Sequence, residues 1–402
     1  MKRGIFDILQ GDRGIWIIVF ILGIFSLLAV YSSTGTLAYK RFGGNTQYFL
    51  LRHFIYMLLS LGVMYFVHLI RYTTILRLSK LFFYLAVPLL LYTMIGGISL
   101  NQASRWITVP ILNLSFQTSD FAKLALMMYL AALIASRQQV IDDFKKGFQR
   151  LVIPVFVVCA LILPADFSTA GLLFLSAVVL MYIGRVKLKY ILGLTGIGVI
   201  AISFFILIVM VSDTESRVGT WKSRVESFIE QDEGGSFQSN QSKIAIASGG
   251  LVGKGLGHSV QRNILPNPFS DFIFAIIVEE TGLVGALIII FLYLILFYRT
   301  AAIVKRCNRV GPALLVAGMM ILMVIQAFVH MGVSVGLLPV TGQTLPFVSM
   351  GGTSMLISSV QMGIILSVSR SLQKEKKKPV EPEPEEEDLR DINENEASYE
   401  EN

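Results

Sequence analysis

The chain has 402 residues, 54% of them apolar and only 15% charged, with a formal net charge of +7. Ordinary soluble domains carry about 25% charged residues and no long unbroken apolar runs, so a soluble globular fold is excluded, together with disordered and collagen-like classes. Cys159 lies in an apolar run and Cys307 in a basic loop, which argues against a bridge and against redox chemistry.

A helix needs roughly 20 mostly apolar residues to cross a bilayer. Runs of that kind occupy approximately 14–33, 50–70, 79–97, 120–136, 150–164, 168–184, 188–212, 272–298, 310–337 and 352–370. The expected fold is an all-α polytopic membrane protein with about ten transmembrane helices and a large extracytoplasmic loop, 213–271, between the seventh and eighth. The first run follows Lys2, Arg3 and Arg13, lacks a small-x-small cleavage site, and reads as a retained signal anchor. The fifth and sixth runs are short, and one hairpin with a re-entrant tip is an alternative for them. Residues 1–373 form the expected membrane domain. The tail 374–402 holds five Lys/Arg and twelve Asp/Glu, net −7, leaving +14 on the body, and reads as a disordered acidic cytoplasmic extension. A basic body without a base-reading motif points to anionic lipid and anionic substrates, with no nucleic acid among the partners.

Cytoplasmic loops are enriched in Lys and Arg. With the N-terminus inside, the inner segments hold 22 such residues and the outer ones ten, or four when the long loop is discounted. Both termini are therefore expected in the cytoplasm. The Gly- and Pro-rich stretches 98–119, 164–168, 213–271 and 338–352 then all fall outside. No ATP is available there, so chemistry on that face must use an already activated substrate or an ion gradient.

Arg105 and Trp106 fit an interfacial anchor or a phosphate and sugar contact. In Phe116-Gln117-Thr118-Ser119-Asp120-Phe121-Ala122-Lys123, Thr118 or Ser119 suits a helix N-cap. Asp120 and Lys123, three residues apart, suit a buried ion pair, unless Lys123 snorkels outward. The run from Ser248 to Gly257 is glycine-rich with one lysine, Lys254. It is not a Walker motif, and it reads either as a pyrophosphate cradle or as a flexible loop. Asp271 stands where the long loop enters the eighth helix, as a cap or as a base; Glu279 and Glu280 lie about 12 to 13.5 Å further along a helix, too far to pair with it there. The loop 338–352 has two prolines and three glycines, so a bent backbone, with Thr353 or Ser354 capping the next helix. Its Leu338–Gly342 stretch mimics a sortase signal, which has no place after nine spans. His68 and His330 sit in apolar runs and read as satisfied interior side chains.

Three stretches carry a resemblance: Gly336 to Gly352, Pro266 to Ala275, and Arg105-Trp106-Ile107 with Gln117 to Lys123. They resemble the SEDS proteins (shape, elongation, division and sporulation), the FtsW, RodA and SpoVE group, over the ten-helix body. The resemblance implies a peptidoglycan glycosyltransferase that joins lipid II units outside the cytoplasmic membrane, with undecaprenyl pyrophosphate as leaving group. It implies that Asp271 is the essential loop aspartate and that Asp120 and Lys123 occupy the acidic and lysine positions of the fourth helix. Its motifs supply Gln117, Ser119, Asp166, Thr341 and Ser349, beside Arg105, Trp106 and Lys254, as expected substrate-binding residues. Thr118 replaces a usual proline, Asp120 a glutamate, Ser168 a glycine, Met350 a tyrosine and Thr353 a serine, which bears on fine positioning. The stretch Val30-Tyr31-Ser32-Ser33 is similar to the division branch.

A divalent cation (Mg2+ or Mn2+) at Asp271 and no nucleotide are the cofactor expectations. A cognate class B penicillin-binding protein, divisome proteins and membrane lipid at the septum are the expected partners. A lipid II flippase, an elongation-type polymerase and a non-catalytic division scaffold are the competing readings.

Overall fold

The structure, a computed structural model, describes residues 9–35, 46–96, 98–100, 103–109, 114–211 and 237–377. The helices are α1 (Arg13–Ser33), α2 (Thr46–Leu69), α3 (Tyr72–Gly96), α4 (Thr118–Ser136), α5 (Gln149–Ile162), α6 (Phe167–Ile183), α7 (Leu188–Val211), α8 (Phe237–Gly249), α9 (Ile273–Lys305), α10 (Val310–Ser334) and α11 (Gly352–Lys377). Each of the ten apolar runs is thus a helix, because in hydrocarbon every backbone amide and carbonyl must be bonded within the segment. Among the described residues seven of them, α1 to α4 and α9 to α11, are long and apolar enough to cross a membrane. A π-helical turn, Phe144–Phe148, runs directly into α5 and lengthens that helical stretch to about 28 Å.

Three features depart from the sequence reading. The stretch 98–119 contains a small antiparallel sheet, β1 (Ile98–Leu100), β2 (Ala103–Val109) and β3 (Leu114–Gln117), in the order β1-β2-β3. The expected loop 213–271 contains α8 and a 3-10 turn, Gln261–Asn263, while residues 212–236 lie outside the described residues. The last helix continues past the expected boundary at 373 to Lys377, and the rest of the tail lies outside the described residues.

The core is centred on α4 and α10, where Leu126, Met127 and Leu130 are buried with Leu315, Leu322 and Met323. Lipid-facing apolar side chains such as Ile17, Phe20 and Phe66 remain exposed. Small residues set the closest helix contacts, as usual in membranes. At Gly363 of α11 an added Cβ would lie 2.9 Å from the Met64 carbonyl oxygen of α2.

The two ends of the bundle differ in chemistry. At one, Asp12 and Arg299 form an ion pair of 2.8 Å, Gln373 donates to the Gly11 carbonyl, and Arg370 donates to the Leu69 carbonyl at 2.6 Å. At the other, hydroxyl and amide contacts gather the polar segments: Thr93 to Thr118 (3.0 Å), Gln343 to Thr169 (2.7 Å), and Ser242 to the Ser334 carbonyl (2.7 Å). The stretches that the loop count puts outside therefore meet at a single end.

Candidate active site

Asp271 stands two residues before α9. The N-cap position is Phe272, whose side chain makes no cap hydrogen bond, and Asp271 stands one position outside it. Pro266 and Pro268 bracket a tight turn in which the Asn267 carbonyl accepts from both the Ser270 amide (3.3 Å) and the Asp271 amide (3.2 Å). Proline fixes φ on both sides of Asn267, which stiffens the approach to the carboxylate. The Ser270 hydroxyl donates to Asp271 Oδ1 at 2.8 Å, and a Cβ added to Gly342 would stand 3.9 Å from Oδ2. Gly342 has φ +69°, which glycine adopts without the clash a side chain brings.

The segment 338–351, to which Gly342 belongs, is bonded to five helices or their approaches. Ser26 of α1 donates to the Val348 carbonyl (2.8 Å), Gln343 to Thr169 of α6, and Gln326 of α10 to the Thr344 carbonyl (2.9 Å). His330 Nδ1 donates to the Gln343 carbonyl (2.7 Å), Tyr293 of α9 to the Pro346 carbonyl, and Thr344 meets Ser354 of α11. Met350 closes on the Asp271 turn through its amide to the Phe269 carbonyl, 2.9 Å. Phe347, buried within it, holds φ +62°, a strained value for an aromatic residue and of the kind found at functional loops. Ser354 and Thr353 lie inside the first turn of α11, which starts at Gly352, so the expected cap there is replaced by the Ser354 contact with Thr344.

Around the start of α4 a second polar cluster forms. Gln117 is the N-cap, in place of Thr118 or Ser119, and its amide donates to the Ser119 hydroxyl at 3.0 Å. Trp106 is the cross-strand partner of Gln117 and is half-buried, while Arg105 is the extra β2 residue where the register slips against β1. Asp120 and Lys123 form the expected ion pair, 2.8 Å, with side chains only 9% and 3% exposed, so Lys123 does not snorkel. Asp166 is buried and caps α6 by accepting from the Thr169 amide at 3.1 Å. It shares a cavity of about 20 Å³ with Thr93, Thr118 and Ser119. Thr169 in turn contacts Gln343, so the two clusters are joined side chain to side chain.

Two more of the expected substrate contacts are engaged internally. Ser349 is buried; its hydroxyl accepts from the Leu345 amide (2.8 Å) and donates to the Ser270 carbonyl (2.7 Å). Lys254 binds Glu279 at 2.7 Å rather than presenting its charge to a phosphate. The glycine-rich run around it has a different function, because α9 breaks at Gly282 (φ 68°, ψ −166°). A continuous helix would pair the Leu283 and Val284 amides with the Glu279 and Glu280 carbonyls. Here Leu283 and Val284 donate to the Gly250 and Leu251 carbonyls, while Lys254 and Gly255 donate to those of Glu279 and Glu280. The amides of Lys254 and Gly255, candidates for a pyrophosphate cradle, are thereby consumed in splicing the helix. Only glycine permits that approach: a Cβ at Gly253 would lie 2.2 Å from the Glu280 carbonyl oxygen.

The side chains of the glutamates complete this splice and were not assigned a role from sequence. Glu279, fully buried, accepts from Lys254, the Ser259 hydroxyl, and the amides of Val260 (3.0 Å) and Gln261 (3.2 Å). Glu280 accepts from Ser32 of α1, whose carbonyl receives Arg262 at 2.9 Å. Two adjacent acids in an apolar run were the available signal, but their partners lie 18 to 248 positions away in the chain. Among the described residues no group of three His, Cys, Asp or Glu side chains is placed to hold a metal. His68 and His330 are interior, each donating Nδ1–H to a carbonyl, of Tyr65 and Gln343 respectively.

A family model described as "Cell cycle protein", for FtsW, RodA and SpoVE, matches residues 12–374. The "Probable peptidoglycan glycosyltransferase FtsW" of Bacillus subtilis is 31% identical over 380 residues, 92% of this chain and 93% of that protein. Among solved structures, one described as "Structural coordination of polymerization and crosslinking by a peptidoglycan synthase complex" aligns with TM-score 0.68 at 21% identity, over 90% of this chain and 98% of that one. The rod shape determining protein RodA of Thermus thermophilus aligns with TM-score 0.66 at 21% identity, over 90% and 97%. The structural likeness establishes a shared fold, and the sequence match extends across nearly the whole helical body. With its motif residues gathered at one end of that body, the chain belongs to the FtsW, RodA and SpoVE family of cell cycle proteins.

Proposed function

We propose that this chain is a peptidoglycan glycosyltransferase that polymerises lipid II on the outer face of the cytoplasmic membrane, in septal wall synthesis. The observation that carries this reading is the placement of Asp271, on a proline-bracketed turn against Gly342, where the polar segments of the bundle converge. The acceptor sugar 4-hydroxyl loses a proton as it attacks the anomeric carbon of the donor, and Asp271 is the base that takes it. The leaving undecaprenyl pyrophosphate needs positive charge; Arg105 is assigned to it by its motif, and Lys123 is held by Asp120 inside the bundle and would serve it only on leaving that pair.

The alternative role for the same carboxylate is to hold a divalent cation, Mg2+ or Mn2+. Mg2+ is commonly held by one or two carboxylates together with substrate phosphates, and Asp271 is one carboxylate facing a glycine. Such an ion would stabilise charge on the departing pyrophosphate. The termini lie in the cytoplasm on this reading. The partner on this reading is a single-span class B penicillin-binding protein, with divisome proteins completing the assembly; a structural neighbour described as a peptidoglycan synthase complex supports such a pairing. A relative named as a glycosyltransferase and a structural neighbour from a synthase complex support the assignment.

A flippase would also use buried charges and a broken helix. Here the backbone groups freed at Gly282 are bonded to residues 250–255 instead of lining a path, which favours the polymerase. A scaffold would tolerate loss of Asp271. The test is glycan synthesis from lipid II by purified protein with its cognate transpeptidase, wild type against Asp271→Ala at matched Tm. Glycan from the wild type alone is expected; equal glycan from both would overturn the role of Asp271, and scrambling of lipid II in liposomes without glycan would favour the flippase.

A further inference from the structure

We infer that Ser270 is the positioning residue of Asp271, a role that rests on the reading of Asp271 as the working carboxylate. Ser270 is held from both sides. Its carbonyl accepts from the buried Ser349 hydroxyl at 2.7 Å, which itself accepts from the Leu345 amide at 2.8 Å. Its own amide bonds the Asn267 carbonyl, and its hydroxyl donates to Asp271 Oδ1 at 2.8 Å. The hydrogen-bonded series therefore runs from the rigid segment 338–351, through the Ser270 backbone and side chain, onto one oxygen of the carboxylate. The last link, a hydroxyl donating to an ionised acceptor, is among the stronger kinds of hydrogen bond.

The consequence for the carboxylate is orientational. A carboxylate on a turn of its own has a broad, roughly two-fold χ2. With Oδ1 tethered to Ser270, the plane of the group is set and Oδ2 is directed to the Gly342 side, 3.9 Å from where a Cβ there would stand. A misplacement of about 1 Å at a reacting centre can cost two orders of magnitude in rate. An Asp271 that has lost the Ser270 tether on Oδ1 would therefore still bind substrate but react less often.

The experiment uses the full-length protein with its cognate transpeptidase and lipid II as substrate, comparing wild type, Ser270→Ala, Ser270→Thr and Asp271→Ala. For each, kcat, KM for lipid II and Tm in detergent are measured. Ser270→Ala is expected to lower kcat roughly 10- to 100-fold, with KM within about twofold and Tm unchanged, while Ser270→Thr, which keeps the hydroxyl, recovers most of the rate. Wild-type kcat in Ser270→Ala beside an inactive Asp271→Ala overturns the positioning role and leaves the Asp271 assignment standing. A loss that appears only in KM, that comes with a lowered Tm, or that Ser270→Thr fails to recover also overturns it. Activity in Asp271→Ala at the wild-type level instead removes the reading on which the inference rests.

Discussion

Lys254 Nζ sits 2.7 Å from Glu279 Oε1, joining a lysine that is a third exposed to a carboxylate with no exposure at all. The pair is asymmetric, since Glu279 also receives a hydroxyl and two backbone amides whereas Lys254 can turn to water. Removing the glutamate strands several buried donors at once; removing the lysine strands only one part of the demand on the carboxylate.

Glu279→Ala is accordingly expected to destabilise the protein by about 3–5 kcal/mol, the range for breaking a buried pair. Lys254→Ala should cost less, since a hydroxyl and two amides still satisfy the carboxylate and water can enter on the lysine's exposed side. Thermal melts of the two variants in the same detergent check the order. Equal losses would mean that the carboxylate draws little from its amide donors.

The Asp120 and Lys123 pair is buried on both sides, so its single variants should behave alike. Asp120→Asn and Lys123→Met are each expected to cost about 3–5 kcal/mol, and the double variant less than the sum of the two, because no lone charge remains inside. A double-mutant cycle on Tm and on lipid II polymerisation measures the coupling. Strict additivity would show the two side chains acting independently.

Gly342→Ala is penalised by its backbone: a φ of +69° costs an L-residue about 1–2 kcal/mol, and relieving it shifts a segment whose Cβ would stand 3.9 Å, an ordinary contact, from Asp271 Oδ2. Polymerisation should fall at least about tenfold, beyond what that modest loss of stability explains. Normal kcat at lowered Tm would place the glycine's importance in the backbone alone.

Gly282→Ala is expected to be the most severe single-methyl change. The backbone there (φ 68°, ψ −166°) is essentially restricted to glycine, and a Cβ would lie 2.3 Å from the Leu251 carbonyl oxygen. The protein should fail to accumulate in the membrane, as read by immunoblot of membrane fractions, whereas Gly250→Ala, with open space around it, should be recovered, though weakened by its own positive φ.

Cys307 lies between α9 and α10, and its thiol is pushed up to about 11 by burial and then by Glu375. The thiolate is the reactive form, and two pH units above the ordinary value of 9.0 reduce it about 100-fold near neutrality. Maleimide labelling at pH 7.5 should be slow and should accelerate steadily through pH 9, with Glu375→Gln labelling faster than wild type.

The helices were legible because hydrocarbon imposes one solution on an apolar run of twenty residues, and the ends of α4, α6 and α9 fell within two residues of the expected starts. The sheet at 98–117 was not, since its strands are three, seven and four residues long and bracket no clear alternation. Asp271 was legible through its motif. Ser270 stood beside it in the same motif without a role, because its significance depends on Ser349, 79 positions away. The glycine-rich run misled for the same reason: glycines needed for close approach to another helix look, in one dimension, like glycines needed for a phosphate.

The splice at Gly282 has a mechanical consequence. An unbroken rod carries a push from one membrane face to the other, but α9 is two shorter rods lashed together by the segment 249–255. Load applied to the segment 249–255 reaches both rods at once: Ile273–Thr281, and hence the Asp271 turn, through Lys254 and Gly255, and the rod after Gly282 through Gly250 and Leu251. Whatever grips that segment therefore pulls on the two rods through separate bonds, and only one of those paths leads to the carboxylate.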